Sequence, residues 1–387
     1  MKHDRGNSMV TTATDLGSLR RDADRIASRL DWPGPADEYW RRTDISSFDF
    51  ESYPAQAGQA HIKNSGEFIL RNEAELSRTD LSLLNRCIET SRDKVEAFHY
   101  SRLNSGFSLT VPKGKLIEEP AVIRLNGSSG AHQASFALIR AEEGSAGELL
   151  IILEDPHDEE SLRSTSFHFE LEPGSSLRAT LIQDLGRQSS CFAFHTADVA
   201  DDASFSFAEI DLGAALSVSA PVFNTMGQGA NIDIAGLYAV AEGQHKNLRP
   251  VQRHAEAHGA SNSLYKGALV PGARTVFQGL IRVEPGAVKT DAYLSNKNLL
   301  LEDGARADSI PSLQILNNDV RCTHGSTTGK LDPEQLFYLQ SRGFGREEAE
   351  RILLTGFYEE AIGKLSPRVA EEVRTRLNRH PLFAEKE

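Results

Sequence analysis

Cysteine is scarce in this chain: Cys87, Cys191 and Cys322 are the three cysteines among 387 residues. None of them belongs to a Cys-x-x-Cys pair, so the sequence predicts neither a disulfide framework nor a zinc knuckle. A metal centre that takes four thiolates from one chain is excluded by the same count. The chain does not need disulfides or metals to fold, because a chain of this length can bury a sizeable core without them.

Long apolar runs and an excess of positive charge are also absent. The sequence has no stretch of 18 apolar residues, and its first residues are polar and lack the apolar core of a signal peptide. Lys and Arg number 42 against 55 Asp and Glu, which gives a formal net charge of −13. That balance argues against a surface made for nucleic acid or an anionic membrane. We therefore expect a soluble, cytoplasmic protein with neither partner.

Between residues 104 and 328 the sequence is dominated by short β-rich segments, several of which alternate apolar and polar residues. A turn of Gly or Asp followed by a small residue recurs among them, beginning at positions 144, 174, 202, 229, 259 and 286. Stacked coils of a β-solenoid give such a period, because each coil must cover the apolar edge of the next. A β-sandwich with evenly spaced turns is the alternative, although its turns recur about every 8 to 12 residues.

Both ends of the chain have helical patterns. Residues 1–103 predict an N-terminal helical region, and residues 329–387 predict a small C-terminal helical domain. In the latter, Asp332 is a good N-cap, Pro333 suits the first helical position, and Gly343 can end the helix in a left-handed conformation. Apolar residues at helical spacing predict two further helices downstream.

Two short motifs resemble sites of catalysis or binding but fail on inspection. Residues 325–331 resemble a phosphate-binding loop, yet the glycines are one residue too close, and Leu331 replaces the hydroxyl residue that would hold magnesium. Any ATP chemistry would have to come from a partner. His254 and His258 have the spacing of a zinc-protease motif, but Glu256 is shifted by one position, which favours surface or structural histidines.

Cys322 and His324 form a more interesting pair near the end of the β-rich region. On a strand, residues two apart point to the same side, and a thiolate and an imidazole both suit iron. Two ligands are half of the four that an iron–sulfur centre usually takes. The alternative is a core cysteine beside a structural histidine. A catalytic pair is disfavoured, since same-face neighbours on a strand lie about 7 Å apart at Cα and no third orienting group is marked nearby.

The C-terminal part of the sequence resembles a known family. Residues 311–329 (PSLQILNNDVRCTHGSTTG) and 331–344 (LDPEQLFYLQSRGF) are similar to the C-terminal signature of SufB/SufD proteins, which act in the SUF system of iron–sulfur cluster assembly. Further similarity lies in residues 104–120 and 261–267, so the resemblance covers roughly residues 100–360.

Within that family the chain resembles the SufD branch. Asn296 stands where SufB-type chains have a cysteine implicated in cluster assembly, and Gly325 stands where they have a glutamate. The resemblance implies that His324 takes part in cluster building at a subunit interface, with Cys322 as a possible second ligand. The missing SufB-type cysteine argues against this chain as the main sulfur acceptor.

The resemblance also implies an architecture and partners. It predicts a right-handed parallel β-helix core over residues 104–328, between the N-terminal helical region and a C-terminal domain that docks a SufC-like ABC ATPase. The β-helix is expected to pair with a SufB-like chain or with a second copy. The residues expected to bind the ATPase are Leu336, Phe337, Tyr338, Arg342, Gly343, Ile352 and Phe357.

These implications define a scaffold subunit that is not itself an enzyme, with ATP hydrolysis in a partner chain. No cofactor is expected to bind tightly to this chain alone, and a transient iron–sulfur cluster is expected at the subunit interface. One rival is an adaptor that binds the ATPase without touching iron. Another is a β-helix enzyme acting on polysaccharides, which would require secretion.

Overall fold

The computed structural model describes residues 15–64, 66–155 and 158–383 and consists mainly of β-strands with helices at both ends. The helices are α1 (Leu16–Ala27), α2 (Arg78–Glu89), α3 (Lys94–Ser101), α4 (Pro333–Ser341), α5 (Arg346–Ile362) and α6 (Pro367–Arg379), and a 3-10 helix covers Glu73–Glu75. None of the helices in these described ranges has both the length and the apolar character needed to cross a bilayer.

The strands follow one another closely from residue 59 to residue 330. They are β1 (Gln59–Lys63), β2 (Ile69–Asn72), β3 (Ser105–Val111), β4 (Ala121–Asn126), β5 (His132–Ala141), β6 (Ala146–Glu154), β7 (Leu162–Leu171), β8 (Ser176–Asp184), β9 (Ser190–Ala193), β10 (Thr196–Val199), β11 (Ser204–Asp211), β12 (Leu216–Ser219), β13 (Val222–Thr225), β14 (Asn231–Val240), β15 (His245–Leu248), β16 (Val251–His254), β17 (Ala260–Leu269), β18 (Arg274–Phe277), β19 (Leu280–Val283), β20 (Asp291–Leu300), β21 (Arg306–Ser309), β22 (Ser312–Ile315) and β23 (Arg321–Lys330).

Two long sheets run along the molecule. Sheet one has the order β1-β4-β6-β8-β11-β14-β17-β20-β23, and every neighbour in it is parallel except β1, which is antiparallel to β4. Sheet two contains the strands between successive members of sheet one; after β7 each of its coils holds two short strands, such as β9 and β10. Parallel neighbours from consecutive coils are the arrangement of a β-solenoid. The predicted fold is therefore confirmed, and the sandwich alternative is wrong.

The recurring turns form a ladder of their own. The backbone N–H of Gly144 donates to the carbonyl of Pro173 in the next turn at 3.1 Å, and the N–H of Gly174 donates to Asp201 at 2.9 Å. Gly144 and Gly174 have φ values of 65° and 67°, in the left-handed region that favours glycine. In a later coil His258 takes this position, with φ 60°, in place of the neighbouring glycine. His258 is thus a turn residue of the ladder.

The interior of the solenoid changes character along its axis. One column of side chains in register across sheet one runs from the first coils to the last through Ile123, Ile151, Leu181, Glu209, Gly236, Tyr265, Asn296 and Ser326. The neighbouring column runs through Leu125, Leu153, Gln183, Asp211, Tyr238, Gly267, Asn298 and Thr328. Both columns begin apolar and become polar. The C-terminal half of the core therefore depends on internal hydrogen bonds.

The N-terminal region is less helical than the sequence pattern predicts. Helices α1, α2 and α3 pack on the outer face of sheet two, where Leu84 and Tyr100 meet Phe136. Between α1 and α2, however, residues 28–77 contain loops, the 3-10 helix and two strands. Strand β1 pairs with β4, and β2 pairs with β3, so both cover edges of the first coils. This pairing is a tertiary effect that helical periodicity does not report.

Helix α4 begins and ends at the residues that the sequence predicts. The Asp332 side chain accepts a hydrogen bond from the Glu334 N–H at 2.9 Å, Pro333 is the first residue of α4, and Gly343 has φ 98°. Helices α5 and α6 lie on the outer face of sheet one, where Tyr358 and Val373 share an apolar cluster with the strands. The N-terminal helices thus cover sheet two of the solenoid, and the C-terminal helices α5 and α6 cover sheet one.

Arg376 attaches α6 to sheet one. Its side chain is 11% exposed, and its guanidinium contacts Glu154 at 2.8 Å, Asp184 at 2.6 Å and Glu372 at 2.8 Å. We expect Arg376→Met to lower the free energy of unfolding by about 2 kcal/mol, because Asp184 loses this ion pair and Glu154 keeps only its pair with Arg124. Urea denaturation measures the change.

Arg374 on the same helix is the matched control. It pairs with Glu359 on α5, and both side chains are about two-fifths exposed. Because exposed ion pairs contribute little, we expect Arg374→Met to cost about 0.5 kcal/mol. Equal losses for the two substitutions would contradict a special role for the Arg376 contacts.

Candidate functional site

The last coil of the solenoid leaves one edge of each sheet open. We call β21, β22 and β23 the terminal coil; within the described residues no strand pairs with their outer edges. Strand β22 is exposed along its whole length, and Leu313, Ile315 and Leu316 are 39%, 36% and 48% exposed. An open sheet edge with apolar side chains is typical of a surface that another chain covers.

Cys322 and His324 lie on the interior side of this terminal coil. In the register of β23 with β20 they stand opposite Ala292 and Leu294, which both belong to the solenoid core. The two side chains therefore share one face, as the alternation along a strand predicts. Cys322 is half-buried against the core, and burial raises the pKa of its thiol. His324 is exposed and accessible to a second chain.

The chain supplies no complete metal site around this pair. Among the residues that the structure describes, no group of three or more His, Cys, Asp or Glu is placed to hold a metal ion. The other cysteines lie elsewhere: Cys191 is buried in the core, and the Sγ atom of Cys87 in α2 lies 3.3 Å from the Nδ1 atom of His168. Cys322 and His324 could thus provide at most part of a ligand set.

Asn296 lies beneath the terminal coil at the centre of a hydrogen-bond network. Its amide is fully buried and donates to the Tyr238 hydroxyl at 2.7 Å. The Asn296 carbonyl oxygen accepts from the Ser309 hydroxyl at 2.7 Å and from the Asn298 amide at 2.8 Å. The Ser326 hydroxyl in turn donates to Ser309 at 2.8 Å. Asn296 therefore satisfies both ends of its amide within the protein.

Sequence reasoning singled out Asn296 only for the cysteine it replaces, and it missed Tyr238, Ser309 and Ser326. These residues come from strands of different coils and both sheets. They meet because of register, which no local pattern reports.

Helix α4 presents an apolar surface away from the solenoid. Phe337 and Tyr338 are 72% and 55% exposed, and the Arg342 guanidinium lies over the Tyr338 ring at 5.1 Å. Gly343 follows the helix and is exposed, while Leu336 is half-buried. Large exposed aromatic side chains beside an arginine are typical of protein-binding surfaces.

The two predicted docking residues on α5 have different surroundings. Ile352 is 38% exposed. Phe357 is half-buried, and the ammonium of Lys266 in β17 lies 4.6 Å from its ring. Phe357 therefore faces sheet one, so the structure places it at the attachment of α5 to the solenoid.

The motifs rejected from the sequence have structural roles. Residues 325–330 are extended in β23 and form no loop that could wrap a phosphate. His254 is buried in β16, with ring nitrogens 3.2 Å from the Thr225 hydroxyl and 2.8 Å from the Ser261 hydroxyl. With His258 in the turn ladder, the two histidines form no joint site.

The fold defines a class of protein: a parallel β-helix with an uncovered terminal coil and with C-terminal helices that lie on one of its sheets. A family model described as "SUF system FeS cluster assembly, SufBD core domain" matches residues 123–357. A SufBD family iron–sulfur cluster assembly protein of Mycobacterium leprae is 33% identical over 375 residues, which cover 94% of this chain and 93% of the relative.

Named members of both branches are also similar. The SufD protein of Escherichia coli is 32% identical over 169 residues, or 44% of this chain and 40% of the relative. The SufB protein of Bacillus subtilis is 23% identical over 290 residues, or 74% of this chain and 62% of the relative. The chain belongs to the SufB/SufD family, as the motifs in residues 311–344 predict. Family membership supports a role in iron–sulfur cluster assembly.

Proposed function

We propose that this chain is a SufD-like scaffold subunit that catalyses no reaction of its own. One observation carries the proposal: Cys322 and His324 lie together on the interior face of an uncovered terminal coil, beside an exposed apolar edge. A second SufB/SufD-type chain that covered this edge would bring the remaining ligands to the pair. The nascent cluster is then a substrate held between two subunits, and neither subunit holds it alone.

The Asn296 network favours the SufD-like role over a sulfur-accepting one. Where the resemblance places a cysteine in SufB-type chains, this chain has a buried amide whose hydrogen bonds are all made internally. An amide cannot accept sulfur as a thiolate does. In the proposed division of work, the partner supplies the sulfur-carrying thiol, and this chain supplies His324 and the supporting strand.

The exposed surface of α4 supports docking of a SufC-like ABC ATPase. Phe337 and Tyr338 offer the aromatic anchors that protein interfaces commonly use. The ATPase would supply the ATP hydrolysis, because residues 325–330 of this chain are part of strand β23 and form no phosphate-binding loop. Co-expression and co-purification test this part, and Phe337→Ala is expected to weaken the complex. Loss of the complex only when solenoid residues are changed would reject docking on α4.

Replacement of the candidate ligand tests the scaffold role. In cells that depend on this chain for cluster assembly, His324→Ala is expected to remove most cluster delivery while the complex still forms, because the exposed ring contributes little to folding. Thr323→Ala is the matched control, since Thr323 is exposed on the opposite face of the same strand. Cys322→Ser tests the second ligand in the same assay.

The same experiment distinguishes the scaffold from an adaptor. An adaptor that binds the ATPase without touching iron would tolerate His324→Ala and Cys322→Ser with unchanged delivery. That outcome, with unchanged co-purification, would reject the proposed cluster site and would still support docking of the ATPase.

A further inference from the structure

A buried tyrosine connects helix α5 to sheet one. Tyr358 is fully buried, and its hydroxyl donates to the backbone carbonyl of Tyr238 in β14 at 2.8 Å. The side chain of Tyr238 lies on the other face of the sheet, inside the solenoid. Tyr238 therefore contacts the C-terminal helices through its main chain and the solenoid interior through its ring.

The ring of Tyr238 passes over an entire coil. Its partner in β17 is Gly267, and Gly267 pairs with Asn298 in β20. A Cβ atom added to Gly267 would lie 1.7 Å from the Tyr238 ring, so the ring occupies the space that a side chain would need. The hydroxyl thereby reaches past β17 and contacts Asn298 at 2.6 Å and Asn296 at 2.7 Å.

From Asn296 the hydrogen bonds continue to both sheets of the terminal coil. The Ser309 hydroxyl of β21 donates to Asn296 at 2.7 Å, and the Ser326 hydroxyl of β23 donates to Ser309 at 2.8 Å. Ser326 lies two residues from His324 on the same face of the strand. An unbroken series of contacts therefore runs from α5 to the strand that carries the candidate ligands.

We propose that Tyr238 and Asn296 are positioning residues that couple the seating of α5 to the position of β23. The inference rests on the proposed function only in taking α5 as part of the ATPase-docking region. Buried polar networks with every group satisfied are rigid, so a shift of α5 that disturbs the Tyr358 contact is passed to the asparagines. Binding of the ATPase would then adjust Cys322 and His324 from the far side of the sheet.

Hydrogen exchange of the full chain tests the coupling without any partner. We expect Tyr238→Phe to speed amide exchange in β21 and β23 about thirtyfold, since two buried hydrogen bonds of about 1 kcal/mol each are lost. Tyr358→Phe should also speed exchange in β23, although it alters only the α5 side. In the Tyr238→Phe background the added effect of Tyr358→Phe on β23 should disappear.

Tyr265→Phe is the matched control. Tyr265 is buried in the adjacent coil, and its hydroxyl has no hydrogen-bond partner among the described residues. Its replacement should leave exchange in β23 unchanged. Ser309→Ala is a milder second variant, because Ser309 is half-buried and carries one link of the series; it should speed exchange in β23 and leave α5 unaffected.

The outcomes separate this inference from the proposed function. If Tyr358→Phe changes exchange in α5 and β14 and leaves β23 unchanged, the coupling is rejected even where His324→Ala abolishes cluster delivery. If the coupling holds and His324→Ala has no effect, the proposed site is rejected and the positioning network remains. With a SufC-like ATPase bound, the change in β23 exchange should be present in the natural chain and lost in Tyr238→Phe.

Discussion

Acidification from about pH 7 to about pH 5 is expected to remove several kcal/mol from the free energy of unfolding. Three buried histidines, His99, His132 and His168, lie where α3 and its neighbours pack on sheet two, and His195 is buried inside the solenoid against Phe167. Burial lowers the pKa of His132 to about 4 and the pKa values of His168 and His195 to about 3. Burial also places the pKa of His99 well below its usual value.

The contacts of these rings suit the neutral form. The two ring nitrogens of His99 lie 2.8 Å from the hydroxyls of Ser164 and Ser166, and His168 lies 2.7 Å from the Thr196 hydroxyl. A hydroxyl can donate to one nitrogen of a neutral ring and accept from the other, so no carboxylate is required. A protonated ring would place a charge in an apolar region without a counterion.

The direction of these pKa shifts determines whether the free energy of unfolding rises or falls with pH. Each folded-state pKa lies below the unfolded value of about 6.5, so below that pH the unfolded chain binds more protons. The stabilisation is complete above about pH 6.5 and is lost as the pH falls toward the folded-state values. Each histidine contributes about 1.4 kcal/mol per pH unit in that window. Burial raises the pKa of Glu209 to about 7 and also raises the pKa of Asp198, so these two carboxyls act in the opposite direction. Burial lowers the pKa values of His245, His254 and His380 to about 4, so these three add to the effect of the four.

Urea denaturation at a series of pH values between about 7 and 5 measures this slope. His168→Gln should reduce the slope by about one proton, or about 1.4 kcal/mol per pH unit. Tyr100→Phe removes a hydroxyl that lies 3.3 Å from the same ring and leaves the histidine buried, so it should lower stability without reducing the slope. A flat stability profile from neutral to mildly acidic pH would contradict the argument.

The solenoid could be predicted from the sequence because a short local turn motif repeats once in each coil. Each coil needs one tight turn, and glycine or a small polar residue marks it, as at Gly144 and Gly174. The shared face of Cys322 and His324 was predictable for the same reason, since alternation along a strand needs no knowledge of its neighbours. Helix α4 was predictable in the same way, because Asp332 and Gly343 mark its two ends.

The parts that sequence reasoning missed all depend on pairing between distant segments. Strands β1 and β2 form because the first coils offer edges to cover, and no pattern within residues 28–77 records those edges. The contact between Tyr238 and Asn296 depends on Gly267 lying between them in register. A single sequence contains all three residues and does not show that they stack.

Lys246→Met is expected to lower the free energy of unfolding by about 3–5 kcal/mol. Lys246 is fully buried in β15, and its ammonium lies 2.6 Å from a carboxylate oxygen of Asp211 and also contacts the Gly213 carbonyl. Asp211 further accepts from Gln183 at 2.8 Å and from Ser217 at 2.6 Å. Without the ammonium, these neutral donors face an uncompensated charge inside the solenoid.

The double variant separates charge from packing. Lys246→Met combined with Asp211→Asn removes both charges, and the amide retains hydrogen bonding to its neighbours, so it should recover a large part of the loss. Lys289→Met is the surface control: Lys289 pairs with Asp319, both side chains are more than half exposed, and its loss should cost less than about 1 kcal/mol. Urea denaturation near neutral pH compares the three. A loss from Lys246→Met no larger than that from Lys289→Met would show that water reaches the interior pair, and the polar half of the core would then have to be described as hydrated.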